Sequence, residues 1–259
     1  MVFKGLVIKD FLLIRMYLFT WLAVLIVLYT AGASFAAYQK QFYLVFPFLL
    51  VLYVGHTLVL PVTAGILLKA EEKGQYWLHG TADGKRLLSS KLIVSTIVLL
   101  ASLLLTNVLM AFSLMAANGE SQLAFLEGQF PWVEGVLFNG GIIFSAFYLT
   151  TWGLFLWSLF HSMAQSPALR KIRWILIIAV YFITQTVIVR VTEWSAVKAF
   201  LQSWSIQIES PLSSTGGMNE ISFTMDSNGL LVWPLLLSCA GFCLLFFAAA
   251  WLLDRKVEV

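Results

Sequence analysis

Six long stretches of this chain contain no Asp, Glu, Lys or Arg. They cover residues 16–39, 41–68, 92–119, 135–169, 174–189 and 227–253. A helix needs about 20 mainly apolar residues to cross a bilayer. The fifth stretch reaches that length if Arg173 and Arg190 extend their charged ends to the interface. The sequence therefore predicts an all-α integral membrane protein with six transmembrane helices.

The composition supports this prediction and excludes several other classes. Of the 259 residues, 60% are hydrophobic and 11% are charged, whereas about a quarter are charged in a typical soluble domain. This balance excludes a disordered chain, a nucleic-acid module and a disulfide-built secreted scaffold. Cys239 and Cys243 stand four residues apart in an apolar run, and we expect them to be small buried hydrophobic residues on one helix face.

The basic residues predict the orientation in the membrane. Thirteen of the 16 Lys and Arg residues fall before the first span, after the last span, or in the loops after the second and fourth spans. Lys40, Arg190 and Lys198 are the remaining three. The positive-inside rule then places both termini in the cytoplasm.

We expect one transmembrane domain over residues 1–259, with a cytoplasmic loop at 69–91 and an extracytoplasmic segment at 191–228. The predicted spans are residues 16–38, 42–68, 92–117, 135–160, 174–190 and 229–253. Residues 1–15 are predicted to form an interfacial helix, because Phe3, Val7, Phe11 and Ile14 share one face. The other interpretation is that they simply extend the first span.

The outer segment contains a charge-free decamer, residues 199–208, which is too short to span a bilayer. Phe200, Leu201, Trp204 and Ile208 recur at helical spacing. We expect this piece to lie at the interface or to dip partly into the membrane.

Chemistry-bearing residues are scarce inside the spans. His56 is the only ionisable residue deep in a span, and no buried acid is available to pair with it. This disfavours an ion-coupled carrier. The sequence has no metal-ligand spacing and no nucleophile elbow, and the segment Gly80–Arg86 fails the phosphate-loop pattern. We therefore expect no enzymatic activity, no metal and no cofactor in this chain.

Several polar residues in the spans are open to two interpretations. His56, Asn107, Asn139 and Gln185 either join neighbouring helices by hydrogen bonds or line a polar substrate path. The sequence alone does not decide between them.

The loop at 69–91 is equally open. It combines five basic residues with Glu71, Glu72 and Asp83, and a turn signal precedes Gly84. It is either a positive-inside anchor with compensating acids or a docking surface for a partner.

The order of parts resembles the permease subunits of type-2 ABC exporters, which are bacterial half-transporters. The local match runs from Glu71-Glu72-Lys73-Gly74 to Leu78 and then, after a turn, through Arg86-Leu87-Leu88-Ser89-Ser90-Lys91. The ending, Leu252-Leu253-Asp254-Arg255-Lys256-Val257-Glu258-Val259, is also similar. One departure is that Ala82-Asp83-Gly84-Lys85 stands where the family often has a proline in the turn.

The resemblance implies a multi-pass protein of the bacterial cytoplasmic membrane that couples to a separate ABC ATPase. ATP and Mg²⁺ would bind to that ATPase, and a second permease copy would complete a homo- or heterodimer in the lipid bilayer. The resemblance assigns contact with the ATPase to the 69–91 loop. It implies electrostatic contacts by Glu71, Glu72 and Lys73 and anchoring of the coupling helix by Tyr76 and Trp77. The other coupling-loop residues are Gly74, Leu78, Asp83, Lys85, Arg86 and Lys91.

The expected function is export of an amphipathic or hydrophobic substrate, such as a peptide, an antibiotic or a lipid-like molecule. The alternative is a non-transporting membrane anchor or sensor that recruits a cytoplasmic partner. A secondary carrier is disfavoured by the absence of acids deep in the spans.

Overall fold

A computed structural model describes residues 2–74, 83–117, 132–163, 167–207 and 230–256. The chain divides into two compact units, Met1–Thr150 and Thr151–Val259, and the boundary falls inside one helix.

Four helices form the described part of the first unit. They are α1 (Val2–Tyr38), α2 (Val45–Gly74), α3 (Gly84–Ala116) and the first part of α4 (Trp132–Ser162). A short 3₁₀ turn, Phe42–Leu44, leads into α2. Residues 2–15 are helical and continue without a break into the first span as the beginning of α1. Their position at the membrane interface stays a prediction.

The turn between α1 and α2 closes the end of α1 with backbone hydrogen bonds. Gln41 N–H donates to Ala36 O and Lys40 N–H donates to Ala37 O, both at 3.1 Å. This is the Schellman arrangement, which requires a left-handed residue just after the helix. Lys40 is that residue, with φ of 56°.

The second unit contains the end of α4 and the remaining elements. These are α5 (Pro167–Glu193), α6 (Ser195–Gln202), β1 (Ser205–Ile206), β2 (Leu230–Leu231) and α7 (Val232–Lys256). The two short strands pair antiparallel, with Ser205 opposite Leu231. The predicted interfacial decamer is a helix only as far as Gln202, and Ile208 lies outside the described residues.

Six of these helices are long and apolar enough to cross a membrane, which confirms the predicted number of spans. They cover Phe3–Tyr38, Phe42–Glu72, Gly84–Ala116, Trp132–Ser162, Leu169–Glu193 and Val232–Asp254. Each helix extends past its predicted span at one end or both, because charged residues such as Lys9 and Glu71 are accommodated within helical turns.

The core of the first unit lies between α1, α2 and α3. Ile14 and Leu18 of α1 pack with Leu60 and Leu67 of α2 and with residues of α3, and Ile142 and Ala146 bring α4 to the same cluster. Near the α1–α2 turn, a second cluster joins Leu25 and Ala36 to Val45, Leu49 and Leu52.

Aromatic contacts dominate the second unit. The ring centroids are 5.2 Å apart for Trp152 and Tyr181 and 4.6 Å apart for Phe200 and Trp233. Cys239 and Cys243 are exposed on α7. The expectation that they are buried is therefore wrong for the described chain, which covers little of the apolar surface of α7.

Candidate functional site

A cluster of charged side chains joins three helices of the first unit. It consists of Lys9 and Asp10 of α1, Glu71 of α2, and Ser90 and Lys91 of α3, and we call it the ionic cluster. The ionic cluster lies at the end of the unit where α1 and α3 begin and α2 ends. We call this end of the unit the loop end. The helices alternate in direction, so residues about 80 positions apart meet there.

The distances within the ionic cluster are short. Lys91 Nζ lies 2.6 Å from Glu71 Oε2, as a close ion pair and not a well-aligned hydrogen bond, and 3.4 Å from Asp10 Oδ2. Lys9 Nζ donates to Glu71 Oε1 at 2.5 Å. The hydroxyl of Ser90 donates to Asp10 Oδ2 at 2.6 Å.

Burial makes this cluster unusual. The side chains of Lys91, Asp10 and Glu71 are 0%, 1% and 5% exposed, whereas Lys9 is 37% exposed. Two lysines balance two carboxylates, so the cluster is formally neutral. A buried charge without such compensation is strongly unfavourable.

This cluster was not predicted from the sequence. Asp10 was not among the predicted site residues, and Glu71 and Lys91 were predicted to contact a partner. The signal was present in the spacing on α3, because Lys91 shares one inward face with Ser95, Ser102 and Thr106. Periodicity of the buried positions places Lys91 inside the bundle and not at its surface.

Burial also changes the interpretation of the predicted coupling loop. Glu71 and Lys91 are buried against the other helices of their unit and do not present their charges outward. Glu72, Asp83, Lys85 and Arg86 are exposed, and we call these four residues the loop flanks. The backbone of α2 continues through Lys73 and Gly74, while Tyr76, Trp77 and Leu78 lie outside the described residues.

His56 lies near the middle of α2 and is fully buried. Its Nδ1 is 2.6 Å from the carbonyl oxygen of Leu52, and its Nε2 is 3.4 Å from Thr106 Oγ1. A carbonyl oxygen can only accept, so Nδ1 carries a proton and donates to it, while Nε2 faces the Thr106 hydroxyl of α3. Trp21 approaches the imidazole edge-on, with the ring centroids 6.3 Å apart.

A second polar contact joins α2, α3 and α4. Asn107 and Asn139 form a reciprocal amide pair, each Nδ2 donating to the other's Oδ1 at 3.0 Å. The Tyr53 hydroxyl donates to Asn107 Oδ1 at 2.6 Å. The spare amide hydrogens reach the carbonyls of Leu103 and Gly135 within their own helices.

Three of the four predicted path residues therefore make contacts between helices of the first unit. His56, Asn107 and Asn139 use their polar atoms on neighbouring helices, which favours the helix-joining interpretation. Gln185 belongs to α5 in the second unit and is half-buried. Its Nε2 has no hydrogen-bond partner within the described part of the chain.

The fold thus defines a multi-pass helical membrane protein with a charged loop end. The chain is 27% identical, over 99% of both sequences, to a Bacillus subtilis (strain 168) protein named "Uncharacterized protein YhcE". No family model matches the chain. No solved structure matches it either.

Proposed function

We propose that this chain is the permease subunit of an ATP-driven ABC exporter in a bacterial cytoplasmic membrane. Two permease copies and a separate ATPase would form the working transporter, with both termini of the chain in the cytoplasm. The substrate class that suits the apolar, aromatic helices is an amphipathic peptide, an antibiotic or a lipid-like molecule.

The observation that carries this proposal is the exposed charge of the loop flanks. Glu72, Asp83, Lys85 and Arg86 lie at the facing ends of two membrane-length helices, and all four are exposed. A loop that only reverses the chain has no need of acids and bases in this mixture. A charged surface on a partner would pair with both the acidic and the basic residues of the loop flanks. Such pairing would fix the orientation of the partner and would also increase its affinity.

The architecture supports the same proposal. Six membrane-length helices with an internal polar network provide a protein able to span the bilayer. The helices are rich in exposed apolar residues, as expected where a surface faces lipid or a second membrane subunit. Energy would come from the ATPase, since this division of labour is what the resemblance to type-2 ABC permeases implies.

The loop flanks, and not Glu71, are the residues to test for docking. Reversing Glu71 would disrupt the ionic cluster and would confuse docking with folding. Glu72→Lys combined with Lys85→Glu and Arg86→Glu changes only exposed charges. Lys198→Glu is the matched control, because Lys198 is an exposed lysine on α6 in the other unit.

The decisive experiment is purification of the tagged full chain in mild detergent from its own host, after crosslinking in intact cells. We expect a stoichiometric subunit carrying a phosphate-loop motif to accompany the intact chain and Lys198→Glu. The triple flank variant should lose it while accumulating normally in the membrane. An ATPase whose hydrolysis is not stimulated by any substrate would favour the anchor or sensor. Purification without any ATPase would contradict the proposal.

A further inference from the structure

The N-terminal end of α1 lies far from the turn at residues 39–41, which connects the opposite end of α1 to α2. At the loop end, the contacts that the structure describes between α1 and the other helices of its unit are noncovalent. Helices in lipid gain little from hydrophobic association, because lipid tails are as apolar as leucine. Polar contacts therefore decide how firmly this end of α1 is held.

The ionic cluster supplies those polar contacts. Asp10 receives the hydroxyl of Ser90 at 2.6 Å and faces Lys91 Nζ at 3.4 Å, and both partners belong to α3. Lys9 reaches Glu71 of α2 at 2.5 Å. Two adjacent residues of α1 thus connect it to both helices that flank the loop.

The same cluster lies next to the exposed loop flanks. Glu71 immediately precedes Glu72, and Lys91 follows Arg86 by five residues on one continuous helix. Continuous helical backbone of at most five residues thus joins Glu72 to Glu71 and Arg86 to Lys91. A force applied to the flanks therefore reaches Glu71 and Lys91 directly.

Asp10 and Glu71 each have one carboxylate oxygen without a hydrogen-bond partner among the described residues. Asp10 Oδ1 lies 3.8 Å from Nζ of Lys9, the preceding residue of the same helix. By contrast, both oxygens of Glu71 have a lysine nitrogen within 2.6 Å. The contact from α1 to α3 therefore passes through one carboxylate oxygen, Asp10 Oδ2, which accepts from Ser90 and from Lys91.

We propose that the ionic cluster is the mechanical link through which a partner bound at the loop flanks moves α1, with Asp10 as the positioning residue on α1. The identity of the partner rests on the proposed function, whereas the link rests on these contacts alone. Glu71 and Lys91 transmit the movement and do not touch the partner.

The test uses the full chain with Cys239→Ala and Cys243→Ala and a reporter cysteine, Ile14→Cys. Ile14 is 1% exposed and lies one helical turn beyond Asp10. Its reaction rate with N-ethylmaleimide measures how often this end of α1 opens. We expect Asp10→Asn to raise that rate about tenfold, because it removes one charge from a buried compensated set. Lys4→Gln, an exposed neutralisation on the same helix, should leave the rate unchanged.

Ser90→Ala provides a milder variant in case Asp10→Asn does not fold. It keeps all four charges and removes only the 2.6 Å hydrogen bond to Asp10, so we expect a smaller increase in the rate. The second half of the test adds the co-purified ATPase with ATP or ADP. The reaction rate of the intact reporter chain should depend on the nucleotide, and that dependence should disappear in Asp10→Asn. A purely structural Asp10 would not produce this loss.

The outcomes separate the two proposals. An unchanged labelling rate in both Asp10→Asn and Ser90→Ala overturns the link, even if an ATPase is present and transport proceeds. Absence of an ATPase partner overturns the proposed function and the partner's part in the movement. In that case the labelling rate of Asp10→Asn, compared with that of the intact reporter chain, still decides whether Asp10 holds α1.

Discussion

Replacing Asn107 with leucine should destabilise the protein by about 2 kcal/mol. Asn107 makes three contacts between helices, one with the Tyr53 hydroxyl and two with Asn139. Hydrogen bonds between helices in membranes contribute about 0.6 kcal/mol each on average, so the loss of three gives the estimate. Leucine has a similar size and leaves no large cavity, so the change measures mainly the polar contacts.

A double-mutant cycle makes this estimate specific to the amide pair. Asn139→Leu removes two of the three contacts and should cost about 1 kcal/mol. The double variant removes the same three contacts as Asn107→Leu. It should therefore be about 1 kcal/mol less destabilised than the sum of the two single variants.

The assay is reversible unfolding in mixed micelles with increasing sodium dodecyl sulfate, followed by tryptophan fluorescence. Thr186→Val is the control, because Thr186 is exposed and its hydroxyl donates to Phe182 O of its own helix. We expect this control to change stability by less than about 0.5 kcal/mol. If the effects of Asn107→Leu and Asn139→Leu simply add, the reciprocal pair does not exist in the folded protein and the reasoning fails.

Three further predictions concern other contacts. Lys91→Met should lower the free energy of unfolding by about 3–5 kcal/mol, because Lys9 is then the one described lysine that compensates the buried Asp10 and Glu71. The amount of protein in the membrane tests this, and Lys91→Met combined with Glu71→Gln should accumulate to a higher level than Lys91→Met alone. Lys40→Gly should stabilise the protein by about 1 kcal/mol, because Lys40 holds a left-handed conformation that glycine adopts without strain. An unchanged thermal midpoint would argue against a left-handed conformation at residue 40. Gly32→Ala should lower the thermal midpoint, since an added Cβ would lie 2.9 Å from Phe48 Cγ, whereas Gly55→Ala, where a Cβ meets nothing within 4 Å, should not.

The predicted number of spans was correct because it depends on a local property. Charge-free apolar runs of the required length are readable one segment at a time, and the six long helices coincide with them. The predicted ends of the spans were less accurate, because the length of a helix also depends on whether the charged residues at its ends find partners. Lys9, Glu71 and Lys91 find such partners, so α1 and α2 extend past their predicted spans and α3 begins before its own.

The residues of the candidate site were likewise predicted only in part. The sequence selected His56, Asn107 and Asn139 as polar residues in apolar surroundings, and the structure brings Asn107 and Asn139 into direct contact. It did not reveal that Tyr53 joins them, since tyrosine is common in membrane helices and gives no local signal. The ATPase-coupling role of the 69–91 loop stays a prediction, now centred on Glu72, Asp83, Lys85 and Arg86.

By itself, the sequence determined the class of the protein, because a chain with this much apolar surface needs lipid around long helices. Only the tertiary structure decided which charges are buried. Asp10, Glu71 and Lys91 are distant in sequence, and whether they meet depends on the rotation and register of three helices. The packing of apolar side chains along the full length of α1, α2 and α3 sets both, and no single segment contains that information.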